Sequence, residues 1–296
     1  MCWAAPRDPQ ALLLAAPAPT RPTEATRKPA PQLLSQGQVA GWGPKAAIGH
    51  CAAPKQVAVD PIASRQYDGH LVGAGGRIVT GEGTSLDDVT AVRPRSGKAE
   101  GRMVFVNGIM NNLGDQMKAM QGLADVTGAE VVGLHNATSG SVRDVLEAAG
   151  QKAGVSVPPA VKNTARIVLD ELAKPGPVKL AGHSQGGLIL SQALGLVRDT
   201  LKKEGMPPDE LAKTLARIEV TTFGSAATTY PDGPKYTHVL NELDPVARGA
   251  TAAGYQSGKG AKMVWFKDEA KASGDPVFGP HLLTTYLEVY NRLKSR

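Results

Sequence analysis

Cysteine is nearly absent from this chain, and its two copies, Cys2 and Cys51, both lie in the N-terminal part. The rest of the chain therefore has no cysteine nucleophile and no Cys-rich zinc site, and at most one disulfide could form, within that N-terminal part. No Cys-x-x-Cys or His-Glu-x-x-His spacing occurs, so no metal is implied. No apolar run approaches the roughly 18 residues of a membrane span. Ala11-Leu12-Leu13-Leu14-Ala15-Ala16 has the composition of a signal-peptide core. It is short, however, is broken by Pro17, and follows both Arg7 and Asp8 rather than a clean positive region. The expectation is a soluble protein without a standard export signal, cytoplasmic or secreted by a non-standard route. Peripheral membrane contact remains open to it; an integral span does not.

Strong charge of one sign is lacking too, once the chain is divided. Arg7, Arg21, Arg27, Lys28, Lys45 and Lys55 stand against Asp8 and Glu24 in residues 1–55, so this stretch supplies +4 of the formal net charge of +6. A basic tail on a nearly neutral body, with no basic stripe interleaved by aromatics, is not a nucleic-acid footprint. The same stretch is an Ala/Pro-rich leader with Pro17, Pro19, Pro22, Pro29 and Pro31. It cannot bury enough apolar surface to offset chain entropy and is expected to be disordered. Residues 56–296 are then one domain, with N-terminal edge strands over 56–100 and the core over 101–296.

Short β-like pieces open that domain at Gln56–Val59, Arg77–Thr80 and Val89–Val92. Gly73-Ala74-Gly75-Gly76 lacks the third glycine of a dinucleotide fingerprint, and Gly81-Glu82-Gly83-Thr84-Ser85 lacks the Walker lysine. No nucleotide or other cofactor is expected. From Arg102 onward apolar runs alternate with helical patterns. Strands are expected at Met103–Asn107, Glu130–Leu134, Val178–Ala181, Ile218–Phe223, Thr237–Asn241 and Met263–Phe266. Helices are expected at Gln116–Thr127, Ser141–Lys152, Pro159–Lys174, Gly187–Lys203, Asp209–Ala216 and Leu282–Leu293. This alternation predicts an α/β fold, a doubly wound, mostly parallel sheet with helices on both faces. Ligands in such folds sit at the carboxyl ends of the strands, where Asn107, His135, Ser184, Gly224 and Asp244 fall.

The informative stretch is Val178-Lys179-Leu180-Ala181-Gly182-His183-Ser184-Gln185-Gly186-Gly187, followed by an apolar helical pattern. It reads as strand, Gly-x-Ser-x-Gly turn and helix, the arrangement that holds a serine hydroxyl out over a sheet edge. A serine nucleophile needs a base, and the base an orienting acid. Only His238 and His281 follow Ser184. His238 lies inside an expected strand, whereas His281 follows the last strand, where a loop can carry its ring to the serine. Asp199, Asp209 and Asp232 fall in helix or turn settings, and Asp268 and Asp275 follow the last strand. Asp244, in Asn241-Glu242-Leu243-Asp244-Pro245-Val246, stands just past a strand end, with a proline that disfavours helix at Asp244 itself. It is the candidate acid.

An oxyanion hole would take one N–H from Gln185 and a second from the loop after an earlier strand. Val106-Asn107-Gly108-Ile109-Met110 is placed for this, with the Ile109 N–H as donor, Gly108 permitting close approach, and Asn107 either lining the pocket or capping a turn. His135 and Asn136, with Thr138, are candidate pocket residues at the next strand end; Asn136 and Thr138 could equally cap the helix expected near Ser141.

Gly-His-Ser-Gln-Gly-Gly, the later Asn-x-x-Asp-Pro-Val, and a histidine followed by Thr-Tyr-Leu at the last helix resemble the α/β-hydrolase superfamily. The likeness is greatest to its lipase and esterase members, class-3-like or bacterial effector-type lipases among them. It covers about residues 100–296 and implies a Ser184–Asp244–His281 triad that hydrolyses small-molecule or lipid esters through an acyl-serine. The Val-Asn-Gly-Ile loop departs from the His-Gly and Arg-Gly-Thr forms of lipases, and no long apolar lid is evident. The Gly-rich stretch from Arg248 to Lys262 is a candidate mobile flap. Acyl transfer or thioester cleavage on the same triad, a non-catalytic interaction protein on the same fold, and a secreted effector with a delivery leader are the alternatives.

Overall fold

The computed structural model describes residues 55–57, 66–80, 83–109, 112–137, 157–270 and 273–294. The leader up to residue 54 and the helix expected over Ser141–Lys152 lie outside the described residues, as do Met110 and Thr138; Lys55 opens the first strand. Among the described residues nine strands form one sheet: β1 (Lys55–Val57), β2 (Leu71–Val72), β3 (Ile78–Thr80), β4 (Arg102–Val106), β5 (Glu130–Leu134), β6 (Val178–His183), β7 (Ile218–Phe223), β8 (Lys235–Asn241) and β9 (Lys262–Phe266). Their order is β1-β3-β2-β5-β4-β6-β7-β8-β9. The six strands from β5 to β9 pair in parallel, and the three short N-terminal strands pair antiparallel at one edge.

Alternation along the central strands divides the core in two. Val104, Val106, Val132, Leu134, Leu180 and Val220 pack with helices α2 (Pro159–Leu172), α3 (Gln185–Lys203) and α4 (Pro208–Leu215). Met103, Phe105, Val131, Ala181, Phe223 and Val239 face the other way, against α1 (Leu113–Thr127) and α6 (Leu283–Lys294). Leu180, Leu190 and Leu194 are fully buried, each contributing about 1.5–3 kcal/mol of transfer free energy. The sheet is thus covered by helices on both faces, as the strand–helix alternation predicts.

Several boundaries differ from expectation for local reasons. β2 escapes sequence reading because two residues show no periodicity; its neighbours β3 and β5 supply its pairing. Val89–Val92 is not a strand: a 3-10 turn over Leu86–Asp88, capped by Ser85, precedes it, and only Val92 bridges to Val131. α1 begins at Leu113 because the Asn112 side chain accepts the Asp115 N–H at 2.9 Å. It ends at Gly128, whose φ of 74° suits glycine. The candidate flap is built of two parts. Its first part belongs to helix α5 (Pro245–Ala252). Its second part is tied down by reciprocal bonds between Gln256 and Thr228–Tyr230 and by a bond from the His238 ring to the Ser257 carbonyl.

Candidate active site

β6 runs two residues beyond its predicted end, with Gly182 and His183 paired to Thr222 and Phe223 of β7. The chain then turns at Ser184 with φ 55° and ψ −122°, conformational space that a residue with a Cβ rarely occupies. The turn is held from both sides: the Ser184 N–H donates to the Phe223 carbonyl at 3.1 Å, and the Ser184 carbonyl accepts from Gly187 and Ala226 at 3.0 Å each. The elbow glycines answer a packing demand. A Cβ on Gly186 would lie 2.0 Å from the Val106 carbonyl oxygen, and one on Gly187 would lie 2.1 Å from Ser225 Oγ. Ser184 stands at the N-cap of α3, yet its side chain caps no N–H. Its hydroxyl reaches His281 instead.

Ser184 Oγ lies 2.9 Å from His281 Nε2, and His281 Nδ1 lies 2.7 Å from Asp244 Oδ2. Asp244 follows β8 and is the N-cap of α5. Its Oδ1 accepts the Val246 N–H at 2.7 Å and the Ala247 N–H at 3.3 Å. Those donors are the first N–H groups of the helix, at its positive end. Tyr286 of α6 adds a hydroxyl at 2.5 Å from Oδ2. Ser184, Asp244 and His281 are all buried, Asp244 completely. An ionised Asp244 makes Nδ1 the protonated nitrogen of His281, leaving Nε2 to accept from the serine hydroxyl.

His281 lies in a 3-10 turn over Gly279–His281, ahead of the last helix rather than at its start. The turn is fixed at several points. Asp275 Oδ1 accepts the Val277 and Phe278 N–H groups at 2.9 Å each. Thr285 Oγ1 donates to the Gly279 carbonyl at 2.9 Å, and Asn241 Nδ2 donates to the Pro280 carbonyl at 3.1 Å. His183 Nε2 donates to the His281 carbonyl at 2.8 Å, with the two rings 4.9 Å apart. Burial, and then the facing His281, push His183 down to about 3. It is therefore a neutral strut beside the base.

Asn107 neither caps a helix nor stands free. Its Oδ1 accepts the Asn136 N–H at 2.8 Å and its Nδ2 donates to the Asn136 carbonyl at 3.0 Å, so one side chain continues the β4–β5 pairing past the strand ends. Asn136 in turn donates to Gln185 Oε1 at 2.7 Å, linking that loop to the elbow. Gly108 passes directly over the nucleophile: a Cβ there would lie 3.0 Å from Ser184 Cβ. Ile109 packs with Leu188, Ala226 and Val246 in a small apolar cluster that Leu188 joins to the first core. His135 is fully buried and bonded through Nδ1 to Gln116 of α1 at 2.7 Å. The other histidine and acids after Ser184 are engaged elsewhere. His238 bonds Thr222 and Ser257, and burial pushes it down to about 4. Asp268 pairs with Arg292, Asp232 accepts the Lys259 N–H, and Asp199 pairs with Arg198.

Sequence reading assigned no role to His183, Asn241 or Tyr286. His183 was visible inside the elbow motif and Asn241 at its strand end, while Tyr286 lies five residues after His281. Nothing in residue type separates them from ordinary core polar groups. Among the described residues no cluster of His, Cys, Asp or Glu could hold a metal ion.

The parallel strands in the order β5-β4-β6-β7-β8-β9, antiparallel strands beyond β5, and a serine elbow after β6 define an α/β-hydrolase fold. No family profile matches the sequence, and no curated protein matches it. Solved structures do match. An esterase from Pyrobaculum calidifontis is 13% identical over 76% of this chain and 83% of its own, with a TM-score of 0.42. A hormone-sensitive lipase from a metagenome library is 14% identical over 72% and 84%, at 0.42. RedJ-thioesterase of prodiginine biosynthesis in Streptomyces coelicolor is 15% identical over 70% and 89%, at 0.38.

Proposed function

We propose that this protein is a serine hydrolase of carboxylic esters. The observation that carries the reading is the buried chain Ser184 Oγ–His281–Asp244 Oδ2, with bonds of 2.9 and 2.7 Å, mounted on a strained strand-to-helix turn. In this reading His281 Nε2 takes the Ser184 proton as Oγ attacks the ester carbonyl carbon. Asp244 holds the tautomer and stabilises the imidazolium. The carbonyl electron pair moves onto oxygen, where the N–H groups of Ile109 and Gln185 receive it, Gln185 opening α3. Such a donor typically contributes about 3–4 kcal/mol to the transition state. Collapse breaks the bond to the alcohol oxygen, which leaves with the proton from His281. Water, deprotonated by His281, then attacks the acyl-Ser184, and the acid departs as Ser184 regains its proton.

Ile109, Leu188, Ala226 and Val246 supply an aliphatic wall beside the nucleophile, suited to an apolar acyl chain. Val277, Phe278 and Leu282 stay exposed around the turn that carries His281, which supports an ester presented from a lipid phase. The decisive test compares the protein with Ser184→Ala on nitrophenyl esters of graded chain length, alongside labelling by a fluorophosphonate. Turnover and labelling should both require Ser184. Equal rates for the two proteins, or an unlabelled parent, would overturn the assignment.

A further inference from the structure

The base is supported by more than Asp244. The Tyr286 hydroxyl lies 2.5 Å from Asp244 Oδ2, the same oxygen that His281 Nδ1 approaches at 2.7 Å. Its direction is set by a third group: the Asn241 N–H donates into the phenol oxygen at 3.3 Å, so the phenol proton goes to the carboxylate. The ring is fully buried, edge-on to Phe223 and Phe266 at centroid distances of 6.3 and 5.3 Å. The chain makes room for this contact at Gly224, with φ 52°. A Cβ there would lie 2.6 Å from Asp244 Oδ2 and 2.7 Å from the Tyr286 oxygen. Any side chain at 224 would separate the pair.

Asp244 thus accepts two N–H groups on Oδ1 and shares Oδ2 between the phenol and the imidazole. Two donors on one oxygen compete for its electron density, so a strong phenol bond weakens the support that this oxygen gives to a charged imidazole. We propose that Tyr286 is a positioning residue of the hydrolysis. In this role it fixes Asp244 Oδ2 against His281 Nδ1 and moderates how strongly that carboxylate stabilises the protonated base. The inference rests on the ester-hydrolase reading and extends it to a fourth side chain. Burial, followed by the charge of the facing Asp244, pushes the Tyr286 hydroxyl up, so it remains a donor at all working pH values. Among the described residues the other titratable group packed on the base is His183 from β6, held neutral by burial; Ser184 faces Nε2, and α5 contributes the N–H groups at Oδ1.

Tyr286→Phe removes the donor while keeping the ring. The carboxylate becomes more basic and supports the imidazolium more strongly, so the acid limb of kcat/KM on nitrophenyl acetate should move up by about half a pH unit or more. Direct NMR titration of the His281 imidazole should move with it. Fluorotyrosine at position 286, a more acidic donor, should move both midpoints down. A natively folded Tyr286→Phe protein whose two midpoints match the parent overturns the proposal. If that variant does not fold, fluorotyrosine midpoints equal to the parent's overturn it instead. A parent that shows no Ser184-dependent turnover would defeat the hydrolase reading alone, because the imidazole titration still tests Tyr286.

Discussion

At the scale of the single residue, the site is built on a conflict at Ser184. Its φ of 55° is disfavoured for any residue with a Cβ, and strain of this kind costs about 1–3 kcal/mol. The elbow tolerates it because β7, the loop that follows it and the first turn of α3 all bind the Ser184 backbone. Ser184→Gly separates the backbone requirement from the chemistry. Glycine adopts this conformation freely, whereas the lost hydroxyl bond to His281 is worth only about 1 kcal/mol net. The variant should therefore unfold at higher denaturant concentration than the parent, by about 1 kcal/mol. It should also lose ester turnover. Guanidinium melts with a parallel nitrophenyl-ester assay check both halves, and a less stable variant would mean that the elbow carries little strain.

At the scale of the element, α3 shows how one helix meets two different demands. Its first turn must touch the sheet, since Gly186 sits where a Cβ would be 2.0 Å from the Val106 carbonyl oxygen. Its middle faces no such limit, as Gly195 has nothing within 4 Å of the corresponding position. Gly186→Ala must push α3 off β4, costing at least about 2 kcal/mol. Gly195→Ala should stabilise the protein by up to about 1 kcal/mol through helix propensity alone. Thermal melts of the two variants should shift in opposite directions, and a Gly186→Ala protein as stable as the parent would contradict the close approach. The same helix marks how far sequence reading reaches. Strand β6, the turn and α3 were legible because period and glycine placement are local properties. So was the chain order that brings His281 and Asp244 to Ser184, given a parallel sheet. Legibility failed where partners come from far along the chain. β2 is two residues long and exists through β3 and β5. Asn107 acts on Asn136 across a strand gap, and the stretch from Arg248 to Lys262 is stabilised by Thr228–Tyr230 rather than by its own composition. Tyr286 was unreadable for the same reason, since its meaning depends on where α6 packs.

At the scale of the whole molecule, the two cores enclose polar groups whose protonation couples to folding. His183 lies at the end of β6, pushed down to about 3 by burial and the neighbouring His281, and His238 in β8 is pushed down to about 4 by burial. Both stay neutral in the folded protein at pH values where an unfolded histidine, with its midpoint near 6.5, takes up a proton. The unfolded chain therefore binds more protons between about pH 6.5 and 4, and stability falls as pH falls through that window. Each histidine adds up to about 1.4 kcal/mol per pH unit to the slope, and the two together up to about 2.7. Above pH 6.5 neither contributes a slope. His238→Gln provides the control, because an amide can still meet both Thr222 and the Ser257 carbonyl without titrating. Urea melts at intervals from pH 7 to 5 should show a steepening loss of stability in the parent. In the variant that slope should be shallower by the contribution of one proton, even if its stability at pH 7 is lower. Equal slopes would mean that His238 gains its proton in the folded state as readily as in the unfolded one, and that the rings of Tyr230, Tyr236 and Tyr255 packed around it admit solvent.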